Sequence, residues 1–165
     1  MKIGLGKALG FSLLAFIGLN FLFVIIAETI SGDLNLLFSD ISSDPLTIIT
    51  ILFAPISYMP GTVITGISVS ISLGMPDIAV LIQFIGFIVS PFVAALVAGR
   101  TGGGKGGSFG GWMLTALIGA TAVAVLFYVQ LAAPIGEIII IMLSGAVNGI
   151  FYGCFALLFT KTEMY

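Results

Sequence analysis

The sequence predicts an all-α, polytopic integral membrane protein with four full transmembrane helices and a re-entrant or short helical hairpin at the outer face. The 165-residue chain is 59% hydrophobic and 7% charged, whereas about a quarter of the residues of a soluble domain are charged. Its mean hydropathy is +1.29. Apolar runs of roughly 20 residues, the length that crosses a bilayer as a helix, recur along the chain. We therefore treat residues 1–165 as a single transmembrane domain.

The first span is predicted over about 8–30. Lys2 and Lys7 precede an apolar run of roughly 20 residues, which exceeds the length of a signal-peptide core, about 7 to 15 residues. We therefore expect an uncleaved first transmembrane helix.

The acidic segment after this span, ETISGDLNLLFSDISSD, contains apolar residues at helical spacing. These residues are Leu34, Leu37, Phe38 and Ile41. The pattern predicts a short amphipathic helix that lies along the membrane interface.

The uncharged segment 45–76 decides the topology. It is too long for one span, and Met59, Pro60 and Gly61 divide it into halves of about 14 residues, each too short to cross. Short apolar halves joined at a Pro-Gly pair predict a re-entrant hairpin. Two short helices that both cross the bilayer would give the same sidedness and remain an alternative.

The other spans are predicted over about 77–99, 109–131 and 137–160, with a kink at Pro91. Between the first two of these spans lies the glycine-rich stretch RTGGGKGGSFGG. It is not a phosphate-binding P-loop, because Lys105 is followed by glycine instead of Ser or Thr and no strand precedes it. We expect a flexible linker there.

The positive-inside rule supports the hairpin, since Lys and Arg in short loops stay cytoplasmic. If the hairpin enters and leaves on one face, all five basic residues of the chain lie on one side, whereas a single crossing would divide them. These residues are Lys2, Lys7, Arg100, Lys105 and Lys161. The count predicts a cell-membrane protein with both termini in the cytoplasm.

The composition argues against several function classes. The chain has no histidine and a single cysteine, so we expect no haem, metal or other cofactor. The predicted spans carry no ionisable side chain at depth, which proton relays and intramembrane catalysis need. We therefore predict no catalytic residue and no enzymatic activity. Basic residues are few and scattered, so we expect no nucleic-acid partner.

Two groups of small and polar residues remain as candidate sites. Gly145, Gly149 and Gly153 recur at spacing four with Asn148 beside them, and predict a helix-packing face, within the chain or against another subunit. Hydroxyls in the second half of the hairpin are possible pore-lining groups, because a re-entrant segment is buried in protein or lines water. They are Thr62, Thr65, Ser68, Ser70 and Ser72.

Two finer points concern polar residues at depth. Ser68, Ser70 and Ser72 alternate with apolar residues, so an extended conformation is an alternative there. The amides of Asn20, Gln83, Gln130 and Asn148 are expected to form hydrogen bonds between helices.

The leading functional prediction is a non-catalytic integral membrane subunit that packs into a larger membrane assembly, because the chain offers packing surfaces and lacks reactive groups. The alternative is a homo-oligomeric channel or facilitator for a small solute or ion that uses the 45–76 hairpin. A membrane-embedded enzyme that uses only the outer acidic residues is a third hypothesis. The expected partners are the lipid bilayer and either other membrane subunits or further copies of this chain.

Overall fold

The computed structural model describes residues 2–72 and 77–161, and all regular structure within them is α-helical. The helices are α1 (Lys2–Ser31), α2 (Leu34–Ser43), α3 (Thr47–Ser57), α4 (Pro60–Ser72), α5 (Ile78–Thr101), α6 (Lys105–Leu131) and α7 (Ile135–Leu158). The end of the predicted hairpin segment, 73–76, and the termini at 1 and 162–165, whose cytoplasmic location is predicted, lie outside the described residues.

Four helices, α1, α5, α6 and α7, are long and apolar enough to cross a membrane. This confirms the predicted fold class. The helix bounds differ from the predicted spans at the ends, most at α1 and α6, which begin several residues earlier. α1 has 30 residues and is about 45 Å long. Since the hydrocarbon core is about 30 Å thick, hydropathy finds the middle of such a helix better than its ends.

The long helices alternate in direction along the chain and give the bundle two chemically different ends. At one end, Gly4 of α1 lies against the backbone of Gly102, and Gly99 of α5 lies against the backbone of Ala156 in α7. We name this the basic end, because Lys7, Arg100, Lys105 and Lys161 lie there. The opposite, acidic end carries Glu28, Asp33, Asp40, Asp44, Asp77 and Glu137.

Helices α3 and α4 form a hairpin that enters the bundle from the acidic end. They have 11 and 13 residues, so each is about 17 to 20 Å long and too short to span the hydrocarbon core. Between them, Tyr58 stacks on Phe87, with ring centroids 5.4 Å apart. Phe87 lies ten residues into α5, about 15 Å from its start. The hairpin therefore turns near the middle of the membrane.

The second limb, α4, returns toward the acidic end along α5. A Cβ added at Gly66 would lie 2.9 Å from the ring of Phe84, which is one turn nearer the start of α5 than Phe87. Both limbs thus reach the same end of the bundle, which is the re-entrant geometry that the break at Met59 and Pro60 predicts.

The amphipathic helix expected in the acidic segment is α2. It follows Gly32, whose φ of +85° is the left-handed conformation that glycine adopts at helix ends. No residue of α2 is buried, and its axis is bent by 113° from that of α3. α2 therefore lies across the acidic end of the bundle.

The glycine-rich stretch differs from the flexible linker that we expected. Only Gly102, Gly103 and Gly104 separate α5 from α6, and the remaining glycines are helical. A Cβ at Gly107 would collide with the carbonyl oxygen of Gly102, and one at Gly111 would collide with Ala8 of α1. Close helix contact thus outweighs the cost of glycine in a helix, about 1 kcal/mol per residue.

The charge asymmetry makes the orientation testable with paired cysteines. Gly106, at the basic end, and Gly136, at the acidic end, are exposed, and a Cβ at either position would meet no atom within 4 Å. In a Cys154→Ser background, we expect an impermeant thiol reagent added to intact cells to modify Gly136→Cys and to leave Gly106→Cys unmodified until the cells are lysed. The reverse labelling pattern would contradict a cytoplasmic basic end.

Candidate functional site

Two buried asparagine side chains hold the re-entrant helix α3 in place. Asn20 of α1 is fully buried, and its Nδ2 donates to the carbonyl oxygens of Ile51 at 2.6 Å and Leu52 at 3.1 Å. Asn148 of α7 is 1% exposed. Helices α1 and α7, which flank the hairpin, therefore each contribute one amide to the centre of the bundle.

The Asn148 amide binds the C-terminal end of α3, which lies inside the bundle. Its Nδ2 donates to the carbonyl oxygens of Ile56 at 3.0 Å and Tyr58 at 2.9 Å. The last carbonyl groups of any helix have no donor within the helix. Since α3 ends near the middle of the membrane, where water is scarce, the donor has to come from the protein.

The Asn20 amide compensates for a proline. Pro55 lies inside α3 and has no N–H, so it cannot donate to the carbonyl oxygen four residues earlier, which is that of Ile51. Asn20 donates to that oxygen. An unsatisfied carbonyl at this depth would cost several kcal/mol. The two amides together thus allow a short, proline-containing helix to end inside the bundle.

Aromatic and hydroxyl side chains fix the surroundings of these amides. Trp112 of α6 is fully buried and donates from Nε1 to the backbone oxygen of Asn148 at 3.3 Å. Its ring packs edge-on against Phe16 of α1, with centroids 6.2 Å apart. The hydroxyl oxygens of Ser12 and Thr115 lie 2.7 Å apart and join α1 to α6.

The glycine face of α7 packs against α6 of the same chain. A Cβ at any of its three glycines would meet a side chain of α6. The pairs are Gly145 with Ala120, Gly149 with Met113 and Gly153 with Phe109. Asn148 lies beside this face, on the side of the hairpin. Of the two surfaces considered from the sequence, the structure places these glycines at the one within the chain.

The hydroxyl groups of the hairpin lie elsewhere, on α4, which is helical and not extended. Thr62, Thr65, Ser68 and Ser72 are exposed, and Ser70 is partly buried. Thr65 and Ser68 donate to the backbone oxygens of Gly61 and Ile64 in their own helix, at 2.9 and 3.0 Å. The structure thus does not bring the predicted pore-lining residues together with the glycine face.

A cavity of about 220 Å³ at the acidic end was not foreseen from the sequence. It lies between α1, α2, α3 and α5 and is lined by residues that include Glu28, Thr47, Gln83 and Phe87. From the sequence, Glu28 belongs to the acidic segment at the end of the first span. The signal that was available is the position of Glu28 four residues after Val24, an apolar residue on the same face of α1.

The groups at the centre of the bundle are amides, hydroxyls and aromatic rings, which act by hydrogen bonding and packing. In the part of the chain that the structure describes, no cluster of three or more His, Cys, Asp or Glu residues could hold a metal ion. Cys154 is exposed on α7.

A double-mutant cycle tests the link between Asn20 and Pro55. We expect Asn20→Ala to lower the free energy of unfolding in detergent by about 1 to 3 kcal/mol, because the Ile51 carbonyl loses its donor. Pro55→Ala restores a backbone N–H to that carbonyl, so the same Asn20→Ala change should cost about 1 kcal/mol less in the Pro55→Ala background. Equal costs in both backgrounds would show that the proline and the amide are not coupled.

Gly149→Leu tests the contact between α6 and α7. The added side chain would collide with Met113, and overpacking costs about 1 to 3 kcal/mol. We expect a lower melting temperature in detergent. Gly136→Leu is the matched control, because Gly136 lies in the same helix and its Cβ would meet open space. If both variants melt like the parent protein, the glycine face is not tightly packed.

The chain was also compared with known proteins. No family model, no curated protein and no solved structure matches it. Its function is therefore inferred from its own geometry.

Proposed function

We propose that this chain is a non-catalytic subunit of a larger membrane assembly, and that α4 is the surface that it presents to its neighbour. The observation that carries the proposal is the uneven burial of the hairpin. Helix α3 is surrounded by α1, α5, α6 and α7, whereas α4 packs mainly against α5. Ile64, Thr65 and Ser68 of α4 are exposed.

A re-entrant segment at membrane depth is stable where it is buried in protein or lines water. α3 meets this condition within the chain through its contacts and its two amide donors. α4 meets it only on the side that faces α5. A helix from a neighbouring subunit on the open side would bury the hydroxyls, and hydrogen bonds between helices in lipid contribute about 0.6 to 2 kcal/mol each.

The glycines of α7 do not supply this surface. Helix α6 packs against Gly145, Gly149 and Gly153. We therefore assign the contact with a partner to the hairpin and not to α7. The rest of the open surface is apolar and suits lipid, with exposed residues such as Leu14, Ile118 and Ile150.

The proposal of a non-catalytic role rests on the arrangement of the acidic residues. They belong to different elements at the acidic end: Glu28 in α1, Asp40 in α2 and Glu137 in α7. Two of the others have structural partners, since Asp77 accepts from the backbone nitrogen of Ala79 at 2.8 Å and Asp44 accepts from Gln130 at 3.2 Å. We place the assembly in the cell membrane with the basic end in the cytoplasm, on the basis of the positive-inside rule.

The second candidate function is a homo-oligomeric channel or facilitator. The observation that favours it is the outward direction of the α4 hydroxyls: Thr62, Thr65, Ser68 and Ser72 recur every three or four residues and are all exposed. Several copies arranged with these faces inward would form a neutral pore, in which hydroxyl and carbonyl oxygens replace the hydration shell of a small solute or ion.

Replacement of Thr65 by tryptophan tests whether α4 is a contact surface. We expect Thr65→Trp to weaken assembly about tenfold or more, because the indole ring overfills a close helix contact. The measurement is native mass spectrometry of complexes purified in mild detergent. Ile150→Trp is the control, because Ile150 is 55% exposed on α7, on a surface that we assign to lipid.

The composition of the complex separates the two candidate functions. Stoichiometric foreign subunits that are lost in Thr65→Trp support the subunit role, whereas a ring of identical chains with solute flux in liposomes supports the channel. An unchanged complex in Thr65→Trp would contradict both, since both place α4 at the interface.

A further inference from the structure

The cavity at the acidic end is amphipathic along its depth. Glu28 and Thr47 lie where α1 ends and α3 begins, near the membrane surface, and Gln83 lies six residues into α5. Ala54 and Phe87 line the cavity deeper in the bundle. Residues with polar side chains thus lie toward the surface end of a cavity of about 220 Å³, whose wall is mostly apolar.

The charge of this cavity is uncompensated. Glu28 is the only ionisable side chain among the described residues that line it, and it is partly buried. The basic residues of the chain lie at the opposite end of the bundle, a membrane thickness away. A carboxylate at the edge of an apolar cavity attracts a cation more strongly than one in bulk water does, because the effective dielectric constant is lower there.

We propose that this cavity binds a small organic ammonium compound, with one cationic amine on an apolar body. The ammonium group would donate to Glu28 and to the oxygens of Thr47 and Gln83, which are acceptors of suitable type. The apolar body would lie against Ala54 and Phe87. This site is independent of the α4 surface, which lies on the other limb of the hairpin.

The lining distinguishes this ligand from two other ligands that carry a positive group. A metal ion such as Ca²⁺ takes about six to eight oxygen ligands, and the walls of this cavity are mainly apolar. A phosphatidylethanolamine headgroup carries a phosphate next to its amine, and the described lining has no Lys or Arg to bind that phosphate. A free monoamine matches one carboxylate with one ammonium group and leaves no charge unpaired.

Equilibrium dialysis against the full chain in phosphatidylcholine nanodiscs tests the proposal. The probe is radiolabelled 2-phenylethylamine, and 2-phenylethanol is the neutral comparator of similar shape. We expect saturable binding of about one amine per chain and at least tenfold weaker binding of the alcohol. Glu28→Gln should weaken amine binding at least tenfold, since it removes the negative charge and keeps the shape of the side chain.

Two further variants separate loss of the site from general damage. Ala54→Leu fills the deep wall without a change in charge and should also weaken amine binding. Asp33→Asn removes an exposed acidic residue at the same end and should bind the amine like the parent protein, which excludes a general effect of surface charge. Melting temperatures measured on the same nanodisc samples identify any variant that has lost its fold.

Several results would overturn the proposal. They are the absence of saturable binding to the parent chain, equal binding by folded Glu28→Gln, and equal affinity for the amine and the alcohol. Loss of amine binding when phosphatidylethanolamine replaces phosphatidylcholine in the nanodiscs would assign the cavity to a lipid amine instead. None of these results depends on whether α4 contacts a partner, so failure here and failure of the subunit proposal are distinguishable.

Discussion

The structure depends on one constraint, which is that the backbone carbonyls of a helix ending at membrane depth have to find donors inside the protein. Helix α3 ends beside Phe87, about 15 Å along α5, and it contains Pro55 within its last turn. Asn20 and Asn148 supply the donors, and each comes from a different span. The hairpin and the four-helix bundle are therefore not separable parts, because the first is held by side chains of the second.

The bundle also has to leave room for α3. Gly119 of α6 provides part of that room, since a Cβ at this position would lie 2.7 Å from atoms of Phe53 and Ile56 in α3. Association of helices in lipid is driven by close packing and not by burial from water, so small residues act at the contacts while large aromatic rings fill the centre. Trp112 illustrates the second role, because it packs on Phe16 and also bonds the backbone beside the Asn148 amide.

The two limbs of the hairpin have different surroundings, and this difference underlies the functional proposals. α3 contacts α1, α5, α6 and α7 and accepts hydrogen bonds from Asn20 and Asn148, and the cavity with Glu28 lies beside it. α4 is attached mainly through α5 and exposes hydroxyls, of which Thr65 and Ser68 donate to the backbone of their own helix. An enclosed limb beside a cavity suits ligand binding, and an open limb suits assembly with another chain.

The sequence by itself determined the all-α class, the four spans and the short hairpin. These features follow from the lengths of the apolar segments compared with the bilayer thickness and from the charges of the loops, and both can be counted along the chain. The sequence also singled out Asn148 and the glycines of α7 as packing residues. Only the tertiary structure decided that those glycines face α6, that Asn20 replaces the missing donor of Pro55, and that Glu28 lines a cavity. Each of these depends on residues far apart in the chain that meet in space. The helical start of α6 in a glycine-rich stretch was likewise decided by contact with Ala8 and Gly102, since packing between distant helices outweighs local helix propensity.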